Sequence, residues 1–121
     1  MIQILQQTAG NLIAIKATGK LTVGAYAKLL PLLVDRFRQF KTIRWYFEME
    51  DFKGWDAKAL WEDIKFDVTH ANGFEKIAMV GEKPWQEKVT DLMKPFTKAE
   101  VKFFKLTEKD AALSWIGLNG S

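Results

Sequence analysis

Cysteine is absent from this 121-residue chain, which excludes a disulfide framework, a thiolate metal site and a cysteine nucleophile. Histidine occurs once, as His70, so no multi-histidine metal centre and no HExxH-type spacing can be assembled. Serine is nearly as scarce. Ser114 falls inside a predicted helix and Ser121 is the last residue, which gives no positive sign of a serine–histidine–acid arrangement. Arginine is limited to Arg36, Arg38 and Arg44, and the lysines are dispersed among carboxylates. The formal net charge of +3 therefore describes a solvated exterior rather than the basic stripe of a nucleic-acid binder. The longest apolar run, 29–34, is six residues long and contains Pro31, so nothing in it spans a bilayer. The first residues have neither a basic segment nor a long apolar core and do not read as a signal peptide. A phosphate loop is missing as well, because Gly81-Glu82-Lys83-Pro84 lacks the required glycines and the lysine–hydroxyl ending. These absences predict a protein that is not an enzyme, has no cofactor, metal or nucleic-acid partner, and suits a reducing cytoplasm.

What the chain has in quantity is apolar pattern and aromatic rings. Its length fits one domain, residues 1–121, able to bury roughly two thirds of the surface its unfolded form would expose. The organising stretch is 43–49, where Ile43, Trp45, Phe47 and Met49 alternate with Arg44, Tyr46 and Glu48 as the two faces of a strand. An acidic, aromatic segment follows, Glu50-Asp51-Phe52-Lys53-Gly54-Trp55, predicted as a loop that leads into a helix capped by Asp56. Loops leaving the carboxyl ends of strands are where open α/β sheets place ligands and partners.

The rest of the chain reads as alternating elements. Residues 2–5 and 11–18 predict a hairpin of two short strands, after which Gly19-Lys20-Leu21 leaves the sheet. Thr22 is placed to cap a first helix whose stripe is Val23, Tyr26, Leu29, Leu30, Leu33, Val34 and Phe37. That stripe runs through Pro31 unbroken, which predicts one bent helix rather than two. A second helix is expected over 57–69, burying Ala57, Leu60, Trp61, Ile64 and Val68 and ended by Asn72 or Gly73. Lys76 to Val80 predicts a strand covered on both faces. Pro84 opens a third helix with Trp85, Val89, Leu92 and Met93 inward, and Pro95 stops it. A last strand spans 101–106, and Thr107-Glu108-Lys109-Asp110 resembles a capping box for a helix that buries Ala112, Trp115 and Ile116 and stops at Gly117.

The predicted order is β-β-α-β-α-β-α-β-α: an α/β fold with a mostly parallel sheet of about five strands, the first antiparallel and hairpin-linked, and four helices. Strands laid down in one direction place every crossover helix on one face. The other face, carrying Arg44, Tyr46, Glu48 and Lys16, is then expected to be exposed and to serve a partner or a homodimer.

With that layout, particular residues make the chain resemble the SpoIIAA-like family, whose fold is similar to the anti-sigma-factor antagonist (STAS) domains and to the CRAL-TRIO lipid-transfer domains. The resemblance rests on Gly19-Lys20-Leu21-Thr22 ahead of Tyr26, on Phe52-Lys53-Gly54-Trp55, and on Trp61-Glu62-Asp63 with His70. It continues through 74–81, Trp85, Pro95-Phe96, and Ala112 with Trp115. It implies a small, non-enzymatic, bacterial and cytoplasmic (βα) superhelix. STAS antagonists carry a phosphorylatable serine or threonine just after the central strand. Here 50–68 contains no hydroxyl residue, and Asp51 and Asp56 stand nearby instead. That chemistry excludes a phosphoswitch at this place.

Five tryptophans and nine phenylalanines exceed what filling a core of this size requires. Phe52, Trp55 and Trp85 are predicted at the carboxyl end of the sheet, with Trp61 and Tyr26 within reach. Two readings of these rings stand side by side. They close that end of the core in a protein-interaction module that uses the Glu50 to Trp55 loop, the second helix and the polar sheet face, or they line an apolar pocket for a lipid or small hydrophobic ligand with Asp51 or Lys53 at its mouth.

Overall fold

The alternation over 43–49 is realised as the middle strand of a five-stranded sheet. The computed structural model of the chain describes residues 2–6, 8–55, 74–96 and 98–117. The strands are β1 (Ile2–Ile4), β2 (Leu12–Leu21), β3 (Ile43–Trp55), β4 (Phe74–Gly81) and β5 (Glu100–Lys105), and they lie side by side in that same order. β1 runs antiparallel to β2, and the other pairings are parallel. The described helices are α1 (Val23–Gln39), α2 (Pro84–Met93) and α3 (Lys109–Ile116), with short 3-10 turns at Lys94–Phe96 and Leu106–Glu108. The helix expected over 57–69, with Asp56, Trp61, His70 and its glycine-ended stop, lies outside the described residues.

On one face of the sheet Ile13, Ile15 and Ala17 of β2 meet Trp45, Phe47 and Met49 of β3 and Ile77 and Met79 of β4. α1 covers them with Leu29, Tyr26, Leu33 and Phe37. Thr22 starts α1 as expected: its Oγ1 accepts the N–H of Ala25 at 3.1 Å. The helix continues through Pro31, which sits on the exposed side. Val23 and Val34, both expected in the buried stripe, are exposed instead.

α2 corrects the expected register. Trp85 is 37 % exposed and Leu92 60 %, while Gln86 and Thr90 are completely buried. Two polar residues can face inward because their bonds are made, mostly to nearby backbone, with Gln86 Nε2 also donating to the Phe52 carbonyl at 3.5 Å. Gln86 Oε1 accepts the N–H groups of Glu82 at 2.8 Å and Lys83 at 3.1 Å, and Thr90 Oγ1 donates to the Gln86 carbonyl at 2.9 Å. Hydrophobic periodicity cannot register such a pair. The seat depends on Gly81, where a Cβ would run into Gln86 Oε1 and press on the ring of Phe103. Gly81→Ala should therefore cost about 1–3 kcal/mol in urea unfolding, and a neutral result would show that Gln86 can be displaced cheaply.

The second face overturns the expectation of an exposed polar surface. Tyr46 and Glu48 are only 1 % and 5 % accessible. α3 lies over this side, inserting Ala112 and Ile116 among Leu12, Ala14, Tyr46, Ala78, Val80 and Phe104. The physical reason is topological. α1 is a crossover between parallel strands, and α2 leads from β4 to its parallel neighbour β5; handedness constrains both. Among the described residues no strand follows α3 to make it a crossover, and the apolar residues of β2, β3 and β4 on the other side of the sheet give it a surface to cover. The homodimer or partner surface expected there is occupied where α3 lies. The helix ends as predicted at Gly117, in the left-handed region at φ 94°. Its last carbonyls receive cations from the sheet: Arg44 Nη1 donates to the Ile116 oxygen at 2.6 Å and Lys76 Nζ to that of Trp115 at 3.1 Å. The expected box at 107–110 is shifted, since Glu108 Oε1 accepts the N–H of Lys105 and a 3-10 turn precedes the helix.

Candidate functional site

The segment 50–55 is not a loop. It is the carboxyl end of β3, paired with the extension of β2 that was expected to leave the sheet: Gly19 faces Phe52, Lys20 faces Gly54 and Leu21 faces Trp55. From the Ala17–Met49 pair to the Gly19–Phe52 pair, β3 advances three residues while β2 advances two, so β3 carries an extra residue, and it carries another before Gly54. The first bulge restores the side-chain direction. Without it, Phe52 would point away from the face that holds Met49; with it, both enter the same core.

Asp51 sits in that bulge at φ 52°, and among the described residues it is the one non-glycine with positive φ. Its N–H donates to Glu82 Oε1 at 3.0 Å, which ties the bulge to the turn after β4. Asp51 and Lys53 are exposed, while Phe52 between them is 3 % accessible. The Phe52 ring meets Phe47 edge-on at 6.1 Å and Trp85, tilted by 32°, also at 6.1 Å. Trp85 reaches over Gly54, whose φ of 105° suits glycine. Of the residues singled out from the sequence, the structure thus gathers Asp51, Phe52, Lys53 and Trp85 at one rim. Tyr26 lies on α1, half-buried against the core rather than at the rim. Trp55 closes β3 through its backbone, and Trp61 lies outside the described residues.

A second cluster, on the α3 side, was legible only as a shared face. Glu48 Oε1 accepts the Tyr46 hydroxyl at 2.9 Å. Its Oε2 lies 3.3 Å from Lys109 Nζ and 3.9 Å from Lys16 Nζ, and Lys16 in turn reaches Glu50 Oε1 at 2.8 Å. Burial, and then the bond to Glu48, raises the Tyr46 hydroxyl well above its ordinary range. The bond with Glu50 raises Lys16, and the same bond lowers Glu50. These groups satisfy one another, so the cluster acts as a clamp between β2, β3 and the start of α3.

The sign of its pH dependence follows directly. A proton held more tightly in the folded state makes stability fall as pH rises past the unfolded value, about 10 for tyrosine and about 10.4 for lysine. Tyr46 and Lys16 both act in this direction, so stability should decline from about pH 10 upward. Tyrosinate absorbance should show one of the two tyrosines ionising only as the far-ultraviolet dichroism is lost. Tyr46→Phe should make the alkaline decline shallower, and an unchanged decline would remove Tyr46 as its cause.

Among the described residues no group of His, Cys, Asp and Glu could hold a metal ion, and no helix is long and apolar enough to cross a membrane. A cleft of about 380 Å³ opens beside the rim at the carboxyl ends of β4 and β5, and Glu82 contributes to both places.

The fold defines a mixed α/β domain: a sequentially ordered parallel sheet with one antiparallel strand at its edge. The SpoIIAA-like family model matches residues 12–117, and the chain belongs to that family. A solved structure of an uncharacterised DUF3478-family protein with a SpoIIAA-like fold, from Shewanella loihica PV-4, is similar to it at 29 % identity and a TM-score of 0.72. The likeness covers 95 % of this chain and 93 % of that one. No curated protein matches the chain.

Proposed function

We propose that this chain is a non-enzymatic bacterial binding module, acting in the cytoplasm, that engages a protein partner through the rim formed by Asp51, Lys53 and Trp85. The observation that carries the reading is the backbone of Asp51. A non-glycine residue in the left-handed region costs roughly 1–3 kcal/mol, and such positions cluster at binding and switch sites. Here that conformation places two opposite charges outward on a paired strand, one on each side of a buried phenylalanine. The half-exposed tryptophan beside them is the residue type that most often anchors protein interfaces. With no hydroxyl residue in 50–68, the charge at this rim is permanent, and recognition there does not depend on phosphorylation.

The alternative, a carrier or sensor of a lipid or small hydrophobic ligand, draws on the same rings. Phe52 packed between Phe47 and Trp85 favours the first reading, because those rings fill the end of the core against one another.

The test uses the immobilised chain and its Lys53→Glu, Trp85→Ala variant in bacterial lysate, with thermal melting as the control for folding. A protein retained by the native chain and lost from a folded variant supports the rim. Equal retention by both removes it. A tryptophan-fluorescence response to phospholipid or fatty acid that Trp85→Ala abolishes would instead favour the carrier.

A further inference from the structure

β4 and β5 are parallel neighbours, yet the chain leaves their carboxyl ends toward opposite faces of the sheet. From Gly81 it turns through Glu82 and Lys83 into α2, on the face of Phe52 and Phe103. From Lys105 it passes through the 3-10 turn into α3, on the face of Tyr46 and Phe104. Where successive connections diverge in this way, an open parallel sheet leaves a crevice, and that is where such sheets take their ligands. The cleft of about 380 Å³ lies at this place. It falls in the range of small-molecule sites, about 300–1,000 Å³.

Its lining has an inner apolar part and an outer charged one. Gly81 is buried, and the close seat of Gln86 keeps that position bare. Phe103 and Leu106 are half-buried, and Pro84 adds a side wall without an N–H. Lys83 and Lys105 are exposed and carry the positive charge of the cleft. Of the two acids present, Glu82 has one oxygen committed to the Asp51 N–H, and Glu87 is exposed on the first turn of α2. We propose that the crevice binds a small organic acid with an apolar body, its carboxylate met by Lys83 and Lys105 and its body resting on Phe103 and Leu106. The site adjoins the rim and shares Glu82 with it, but the proposal does not rest on recognition at the rim.

Octanoate is the probe, titrated into the isotopically labelled full chain and followed by amide chemical shifts, with octanol and octylammonium as its neutral and cationic counterparts. Shifts should centre on 81–87 and 105–107 and include Asp51, whose acceptor Glu82 lines the cleft. The expected Kd for octanoate is below about 1 mM, with both counterparts at least about tenfold weaker. Lys83→Ala with Lys105→Ala should weaken octanoate about tenfold and leave octanol unchanged. Both positions are exposed, and the spectrum itself reports whether the variant is folded. Equal affinity for the three probes, no saturable shift, or shifts centred on Phe52 and Lys53 with 105–107 unmoved would each overturn the proposal. The probe comparison on the native chain stands whether or not the variant folds.

Discussion

Phe52→Ala should lower stability by about 3–5 kcal/mol in urea or guanidinium unfolding, the range for deleting a buried aromatic ring. Phe52 is 3 % accessible and links Phe47 to Trp85, so its removal leaves a hole that β3 cannot close by relaxing. Its backbone is held on one side by Gly19 and on the other by the bulge at Asp51. Trp85→Ala removes a larger ring, but 37 % of that residue faces solvent. The tilted pair with Phe52 is worth about 0.5–1.5 kcal/mol beyond area, so the Trp85 variant should lose roughly half as much or less. A Phe52 variant as mild as the Trp85 variant would mean that the ring fills nothing. The difference also decides how the rim can be probed: Phe52 tests folding, and Lys53 and Trp85 test recognition.

The attachment of α3 gives the second large effect. Ile116→Ala should cost about 2–5 kcal/mol, because the side chain is wholly buried among Tyr46, Ala78 and Val80. Its carbonyl also receives Arg44, so retreat of the helix end would unseat that guanidinium and loosen its bond to Asn11. At the opposite end Lys109 meets Glu48 at 3.3 Å, but the lysine side chain is 40 % exposed and its charge is screened. Lys109→Ala should cost about 1–2 kcal/mol, less than Ile116→Ala, because Lys16 and the Tyr46 hydroxyl still face the buried Glu48. The apolar end, not the ion pair, holds the helix. Hydrogen exchange should show α3 amides opening early in the Ile116 variant and less so in the Lys109 variant. A larger loss for Lys109→Ala, or stability that falls steeply with salt, would reverse this ranking.

Much of the architecture is legible in residue order. The alternation over 43–49 separates the two faces of β3 correctly, and the run Ile77-Ala78-Met79-Val80 marks a strand buried on both sides. Thr22, Pro84 and Gly117 open or close helices where their chemistry predicts. Three readings fail for physical reasons. Polar and apolar periodicity treats Tyr46 and Glu48 as wet, because it registers neither the bond they make to each other along β3 nor the lysines that reach Glu48 from β2 and α3. The same bias misplaces the inner face of α2, where Gln86 and Thr90 bond to nearby backbone and Gln86 also to the Phe52 carbonyl. Glycine and charge make 50–55 look like a loop, whereas glycine at positive φ in Gly19 and Gly54 lets β2 stay paired with the twice-bulged β3. At the rim, Asp51, Phe52, Lys53 and Trp85 could be named from sequence. Which of them is core and which is surface could not.

Local chemistry alone gives the order of the five strands and the three described helices and a mostly parallel sheet, since each depends on residue type and near-neighbour spacing. The fold in three dimensions decided that the last helix seals the second face, that a buried carboxylate is held there by two lysines and a tyrosine, and that a cleft opens between β4 and β5. Those outcomes depend on groups far apart in the chain meeting across the sheet, and on the direction in which α3, followed by no strand among the described residues, turns to cover apolar surface.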